Sequence, residues 1–298
     1  MKNSSVLIVG CGDLGIRAGT LLLQQGCRVT GVRRITAKLP AEFIGHAADY
    51  TQPGSLDFAA QLRPDFVLAI FNPADRSVSG YRAGFATAMA NLLSGLGQHR
   101  PRHILMTSST RVFAEAQGGW VEETSALATK DPWALEIIEA ERLLLDSGHS
   151  ASAVRLAGVY GIPGGRLLSR IRRGELCPPE PVSYTNRIHR EDCAGFLVHL
   201  VGLADAGQRL EPVYIGVDDL PAARYEVESW LAGEMDLDAG QRFAPASIDE
   251  PTRHNAAGHK RCRNTALHAS GYQLIFPDYK SGYADLLSSS QAPQTEPE

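Results

Sequence analysis

The sequence predicts an α/β protein: a doubly wound parallel sheet with a smaller substrate-binding lobe toward the C-terminus. Three observations carry that expectation. Short apolar runs alternate with helical periodicity through the first half of the chain, as they do when helices cover both faces of a parallel sheet. Three glycines, Gly10, Gly12 and Gly15, stand between the first apolar run and the first helical one. A Gly-, Pro- and Arg-rich stretch from Pro163 to Arg187 then breaks the alternation, where a second lobe can grow.

In chain order, "SVLIVG" is apolar and short enough for a buried strand, and the helical run after it is "DLGIRAGTLLLQQ". "CRVTGVRR", "DFVLAIFN" and "HILMTSS" read as further strands, each followed by a helical segment or a turn. "DPWALEIIEAERLLL" opens with Asp131 as a helix N-cap and Pro132 at the first helical position. Trp133, Ile137, Ala140 and Leu144 form its apolar stripe, with Glu136, Glu139 and Arg142 off it. "ASAVRLAGVY" and "EPVYIGV" are strand-like, and "LPAARYEVESWLAGEM" reads as a helix. From Gln241 to Asn264 the chain is polar and irregular, "HASGYQLIFPDYKSGYADLL" resumes, and the tail 291–298 is low in complexity and expected to be disordered. The expected division is 1–162 for the nucleotide-type sheet and 163–290 for a mixed region whose residues 188–217 return strands to that sheet.

With 298 residues, 44% of them hydrophobic, the chain can bury a sizeable core. A net charge of -4 and the absence of any long Lys/Arg run leave no field for gripping a phosphate backbone, so nucleic acid is not an expected partner. The first apolar run is too brief for a signal or a membrane span, and a cytoplasmic protein with no membrane association is expected. Five cysteines are scattered without CxxC or close Cys/His spacing, so reduced thiols and no metal site are expected.

"VLIVGCGDLGIRAGTLLLQQGCRV" joins strand, GxGxxG turn, helix and second strand, the Rossmann-type unit. Gly10 permits the tight turn, Gly12 lets the backbone approach a pyrophosphate, and Gly15 allows close helix packing. The turn from Gly10 through Cys11, Gly12, Asp13 and Leu14 to Gly15 then presents N–H donors at a helix N-terminus. The competing reading is a tight turn without a ligand. An NAD site usually carries an acid at the end of the second strand to bind the ribose hydroxyls. This strand ends in Arg33 and Arg34, whose guanidinium groups can pair with a 2′-phosphate. NADP is the preferred cofactor, with NAD as the alternative, since arginines at a strand end are also common solvated residues.

Taken together, four stretches resemble motifs of the extended and atypical short-chain dehydrogenases/reductases, the NAD-dependent epimerase/dehydratase family. "ADYTQPGSL" is similar to D-x-T-x-x-x-S-L, "TSSTRVF" to SSxxVYG, "RLAGVYG" to RxxxVYG, and "RIHREDCAGFLVHL" to xIHVxDxAxA. The resemblance spans nearly the whole chain and implies that Asp49 lies near the adenine. Asn72 is expected at the carboxyl edge of the sheet, where ligands of doubly wound folds bind. Two departures stand out. The glycine motif is one residue shorter than the family's TGxxGxxG, which points to an atypical branch. In the family's YxxxKxxxE helix, taking Glu141 as the glutamate places Trp133 at the tyrosine and Ile137 at the lysine. The tyrosine moves a proton at the reacting oxygen and the lysine lowers its pKa, and neither indole nor sec-butyl does either. Trp133 and Ile137 read instead as core or as an apolar wall.

Ser109 stands at the family's Ser/Thr position, where it either holds a substrate oxygen or serves as a turn residue. Thr110 and Arg111 replace the Asp and Glu of the sugar 4,6-dehydratases, which disfavours that elimination. Tyr160 in "VYG" and His189 in "IH" stand where the family faces its substrate, as catalytic or structural residues; Tyr81, Tyr184 and Glu136 are further proton-transfer candidates. In the insertion, Arg166, Arg170 and Arg187 suit an anionic substrate group, although Arg170 and Arg173 also fit a solvated helix face. Thr185 occupies the place of the family's diphosphate-binding arginine, which leaves a nucleotide-sugar substrate open. The resemblance implies an oxidoreductase or epimerase acting on a small polar or sugar-like molecule, and a homodimer is the assembly considered. The competing class is a non-catalytic NADP(H) sensor. A β-hydroxyacid dehydrogenase shares the shorter glycine motif but requires a long all-helical C-terminal domain, which "EPVYIGV" contradicts.

Overall fold

The computed structural model describes residues 1–237 and 258–291, with side chains through residue 288. Most of the polar stretch from Gln241 to Asn264, and the tail 292–298, lie outside the described residues. The first unit is β1 (Ser5–Val9), α1 (Asp13–Gln24) and β2 (Arg28–Arg33). It is followed by β3 (Ile44–Ala47), α2 (Ala59–Leu62), β4 (Phe66–Ala69), α3 (Val78–Arg82) and α4 (Ala88–Leu96). Next come β5 (His103–Ser109), β6 (Trp120–Val121), α5 (Pro132–Leu145), β7 (Ala151–Leu156) and β8 (Gly158–Tyr160). The remaining elements are α6 (Arg166–Arg172), β9 (Tyr184–Thr185), β10 (Arg187–His189), α7 (Arg190–Asp205), β11 (Val213–Gly216), β12 (Ala222–Ala223), α8 (Arg224–Glu234) and β13 (Arg261–Cys262). Helices Thr265–Ala269 and Tyr279–Gln291 close the described chain.

Seven strands form one parallel sheet in the order β3-β2-β1-β4-β5-β7-β11. The period-two alternation of a strand assigns its faces. Val6 and Ile8 of β1 pack in the core that includes Leu22 of α1 and Phe196 of α7, whereas Leu7 and Val9 pack with Met89 of α4 and Ile137 of α5. A separate cluster joins Leu168 and Ile171 of α6 to Val227 and Leu231 of α8 and to Tyr279 and Tyr283 of the C-terminal helix. No helix among the described residues is long and apolar enough to cross a membrane.

Helix α5 shows how the local sequence is read. Asp131 accepts the amide N–H groups of Trp133 at 3.1 Å and Ala134 at 3.4 Å, and Pro132 follows where no N–H is needed. Ile137, Ala140 and Leu144 are buried on the sheet side. Glu136 and Glu141, off the apolar stripe, are buried as well, because each has an arginine partner. Arg155 of β7 holds Glu141 through Nε at 3.1 Å and Nη2 at 2.8 Å, and the Ser108 hydroxyl of β5 donates to the same carboxylate. Three elements are thereby locked in register at the end of the sheet where the site lies.

Candidate active site

The strand order reverses beside β1, and ligands of open α/β sheets bind in the crevice outside the carboxyl ends at that reversal. A cleft of 370 Å³ lies there, lined by the turn Gly10–Gly12 and by Asn72, Asp49, Arg33 and Arg34. Gly10 has φ +83°, and a Cβ on it would collide with the Ile70 carbonyl oxygen, so only glycine fits. A Cβ on Gly15 would press on Ile8 Cγ2 at 3.1 Å and Cys11 Sγ at 3.3 Å, which is the close helix-to-strand contact. Gly12 differs, since a Cβ there would meet nothing nearer than the Gly10 carbonyl oxygen at 3.9 Å. Its missing side chain leaves space on the cleft side of α1, whose N-cap Gly12 makes no side-chain cap. The amides of Gly10, Cys11 and Gly12 already donate to the Val32 and Gly10 carbonyls, so the N–H groups left for an approaching phosphate are those of Asp13, Leu14 and Gly15 in the first turn of α1.

Asp13 and Leu14 contribute no side chain to the lining of the cleft. The Asp13 carboxylate pairs with Arg17 at 3.2 Å, Leu14 packs against the core, and Gly15 is buried. Cys11 contributes backbone only, because burial pushes its thiol up to about 12 and leaves it unreactive. Asp49 Oδ1 accepts from the Thr51 amide at 3.1 Å and hydroxyl at 2.7 Å, which shapes that part of the rim. Three further lining residues are Lys38, Tyr50 and Thr51. Lys38 returns to the rim because the 3₁₀ turn Thr36–Lys38 folds the chain back after β2. Arg33, Arg34 and Lys38 form no ion pair with any described residue, so one end of the cleft carries three uncommitted cations.

Ser109 ends β5 and its Oγ accepts the Arg111 amide at 3.2 Å, capping the turn Thr110–Val112. Beside it Arg111 pairs with Asp131 at 2.8 Å and lies 5.2 Å from the Trp133 ring centre. The Trp133 indole N–H donates to the Arg76 carbonyl at 3.0 Å, while Ile137 is 1% exposed in the core. Glu136 is engaged by Arg82 at 2.7 Å on the α3 side.

A second cavity, of 680 Å³, is lined by Tyr160, Arg166, Arg170 and Arg187, together with Arg224 and Glu228. Buried Glu228 holds Arg170 and, at 2.7 Å, Arg224, and its other oxygen accepts the Cys177 amide at 2.6 Å. Four guanidinium groups against one carboxylate leave the wall positive, which suits an anion. Arg187 is 7% exposed and its Nη1 has no hydrogen-bond partner. The Tyr160 phenol is raised by burial, stacks on Tyr283 at 4.6 Å and donates to the Asp278 carbonyl at 3.4 Å, a held position rather than a free acid. His189 sits behind Gly161; its Nδ1 accepts the Glu191 amide at 3.3 Å, and burial lowers it to about 4, so the ring is neutral with its proton on Nε2.

Asp218, two residues past the end of β11, is 1% exposed beside Arg187 of this cavity, and its Oδ2 has no partner. Burial pushes its carboxyl from 3.8 up to about 7, against the pull of Arg187. The folded state therefore binds this proton more tightly than the unfolded chain. The resulting stability is complete below about pH 4 and is lost as pH rises through 7. Denaturant midpoints measured from pH 4 to 8 are expected to fall for the wild type by the equivalent of roughly 3–4 kcal/mol, and Asp218→Asn is expected to flatten that fall.

Fold and cleft define a dinucleotide-fold protein of the short-chain dehydrogenase type. The chain belongs to the NAD-dependent epimerase/dehydratase family of extended short-chain dehydrogenases/reductases. Protein YeeZ of Escherichia coli (strain K12) is 31% identical over 211 residues, which is 68% of this chain and 74% of that protein. A Methylobacillus flagellatus structure provisionally described as an NAD-dependent epimerase/dehydratase is 34% identical, with a TM-score of 0.77 over 96% of this chain and 98% of that one. A Bacillus cereus UDP-glucuronic acid 4-epimerase, in complex with UDP-glucuronic acid and NAD, shares the fold at 15% identity and a TM-score of 0.76, over 96% and 99% of the two chains. No protein-family model matches the chain.

Proposed function

We propose that the protein binds NADP and acts as an oxidoreductase or epimerase on a small polar, sugar-like molecule bearing an anionic group, without the family's Tyr/Lys pair. The observation that carries this reading is the meeting, in one cleft, of the open Gly12 turn with the uncommitted Arg33, Arg34 and Lys38. The turn would hold the pyrophosphate and the three cations a 2′-phosphate. Asp49 and Asn72 would flank the adenosine. When bound, the cofactor supplies a hydride donor or acceptor at nicotinamide C4.

The rest is the work of the chain. Ser109 already accepts from Arg111, so its hydroxyl proton is left to donate to a substrate oxygen. Arg166, Arg170, Arg187 and Arg224, within the lobe 163–290, would hold the anionic group, with neutral His189 supporting that wall. Trp133 and Ile137 exchange no proton, so another acid or a water molecule takes the tyrosine's place at the reacting oxygen. The homodimer is proposed with this reading and is measured by light scattering.

A second reading, an NADP(H) sensor, is favoured by the absence of any proton-transfer group at these two positions of α5. Thermal denaturation tests the shared part: NADPH at about 100 times its Kd is expected to stabilise the fold by about 2.7 kcal/mol, and NADH less. Stabilisation by neither dinucleotide would refute both readings. Oxidation or reduction of any member of a carbonyl and sugar-phosphate panel separates the enzyme from the sensor.

A further inference from the structure

Lys260 is 1% exposed, and no described carboxylate pairs with it. Its Nζ donates to the carbonyl oxygens of Thr110 at 3.1 Å and Phe113 at 3.2 Å, which bracket the turn just after Ser109. Burial opposes its charge and lowers it to about 8, with Cys262, Glu115, Arg111 and Asp131 as its charged or ionisable neighbours. A lysine this deep is normally excluded from a core, so both carbonyls gain a donor at a desolvation cost that the rest of the fold must offset.

The main chain of the same residue reaches the other cavity. The Lys260 carbonyl accepts from Asn186 Nδ2 at 2.9 Å, and the Cys262 amide donates back to Asn186 Oδ1 at 2.8 Å. Asn186 lines the arginine cavity beside Arg187. Between these two attachments, β13 pairs in parallel with β6, and the Arg261 guanidinium lies 5.0 Å from the Trp120 ring centre and 4.6 Å from that of Tyr184. Residues 258–263 are thus a strap that touches the Ser109 turn through a side chain and the cavity wall through a backbone.

We propose that Lys260 is the positioning residue that sets the Ser109 turn and the Asn186 wall of the arginine cavity relative to each other, so that one strap assembles both halves of the site. It rests on the reading of Ser109 and the arginine cavity as the substrate site. Helix α5, where the family carries a lysine, offers Ile137, and the buried ammonium beside the Ser109 turn comes instead from the residue preceding β13.

Hydrogen exchange on the full chain tests this, comparing wild type with Lys260→Met, Lys260→Arg and Asn186→Ala. Lys260→Met is expected to lose at least tenfold protection in peptides covering 109–114 and 184–188 together, and Lys260→Arg to return to within about threefold of wild type. Asn186→Ala, which does not touch the turn, is expected to lower protection at 109–114 through the strap. In NADPH titrations the Lys260→Met protein should bind within about threefold of wild type, since the phosphate end is intact, but lose the emission shift of the bound nicotinamide. Unchanged protection at 109–114 in Asn186→Ala, or a folded Lys260→Arg no better protected than Lys260→Met, overturns the inference. If Lys260→Met does not fold, the Asn186→Ala and Lys260→Arg comparisons with wild type decide it. Wild type that fails to bind NADPH refutes the nucleotide reading alone, and the exchange comparisons still decide this one.

Discussion

Alanine at Arg33, Arg34 and Lys38 together is expected to weaken NADPH binding by about 100-fold, or about 2.7 kcal/mol, and to leave NADH binding within about threefold. The size follows from the chemistry: hydrogen bonds to a charged group are each worth about 1.5–3 kcal/mol, and partial exposure of the rim reduces their sum. Arg33 is half-buried, whereas Arg34 and Lys38 are exposed, so Arg33 should carry the largest single share. Nicotinamide fluorescence titrations at two salt concentrations provide the check. An equal loss of NADH affinity would show that these cations serve the pyrophosphate or the fold instead, and a preference for NADH in the wild type would remove the 2′-phosphate from the proposal.

Glu141→Ala is expected to cost roughly 3–5 kcal/mol of stability, because it strands the Arg155 guanidinium, 5% exposed, with one carbonyl partner. Replacing both, Glu141→Leu with Arg155→Leu, should cost less than the single change, since no buried charge is left unpaired. Chemical denaturation of the two variants measures this directly. A single variant as stable as wild type would mean that solvent reaches the pair and that α5 is not fixed through it. The pair matters to the site because it holds α5 against Ser108, one residue before Ser109.

Much of the architecture was legible because local signals and the global fold agree. The βαβ unit around Gly10, Gly12 and Gly15 and the Asp131 cap both depend on near neighbours in sequence. Arg33 and Arg34 were legible for the same reason, as the last residues of an obvious strand. What escaped is long-range. Lys38 lies beyond the end of β2, and only the 3₁₀ turn brings it back to the rim. Arg224 and Glu228 carry an i,i+4 signal, but nothing in a helix pattern says that the carboxylate is buried and also anchors Arg170. Glu141 likewise read as a motif position, while its burial depends on Arg155 from the next strand. Lys260, alone in a polar tract, gave no signal at all.

The order in which the chain emerges gives the strap a temporal consequence. All seven strands of the main sheet are complete by Gly216, whereas residues 258–263 leave the ribosome later and must find partners about 140 residues upstream. A nascent chain can therefore close its nucleotide cleft before the Thr110 and Phe113 carbonyls acquire their ammonium donor. On the proposed reading, the dinucleotide side is complete before the substrate side, and a chain released early by a premature stop would be a cofactor-binding shell with an unfinished interior.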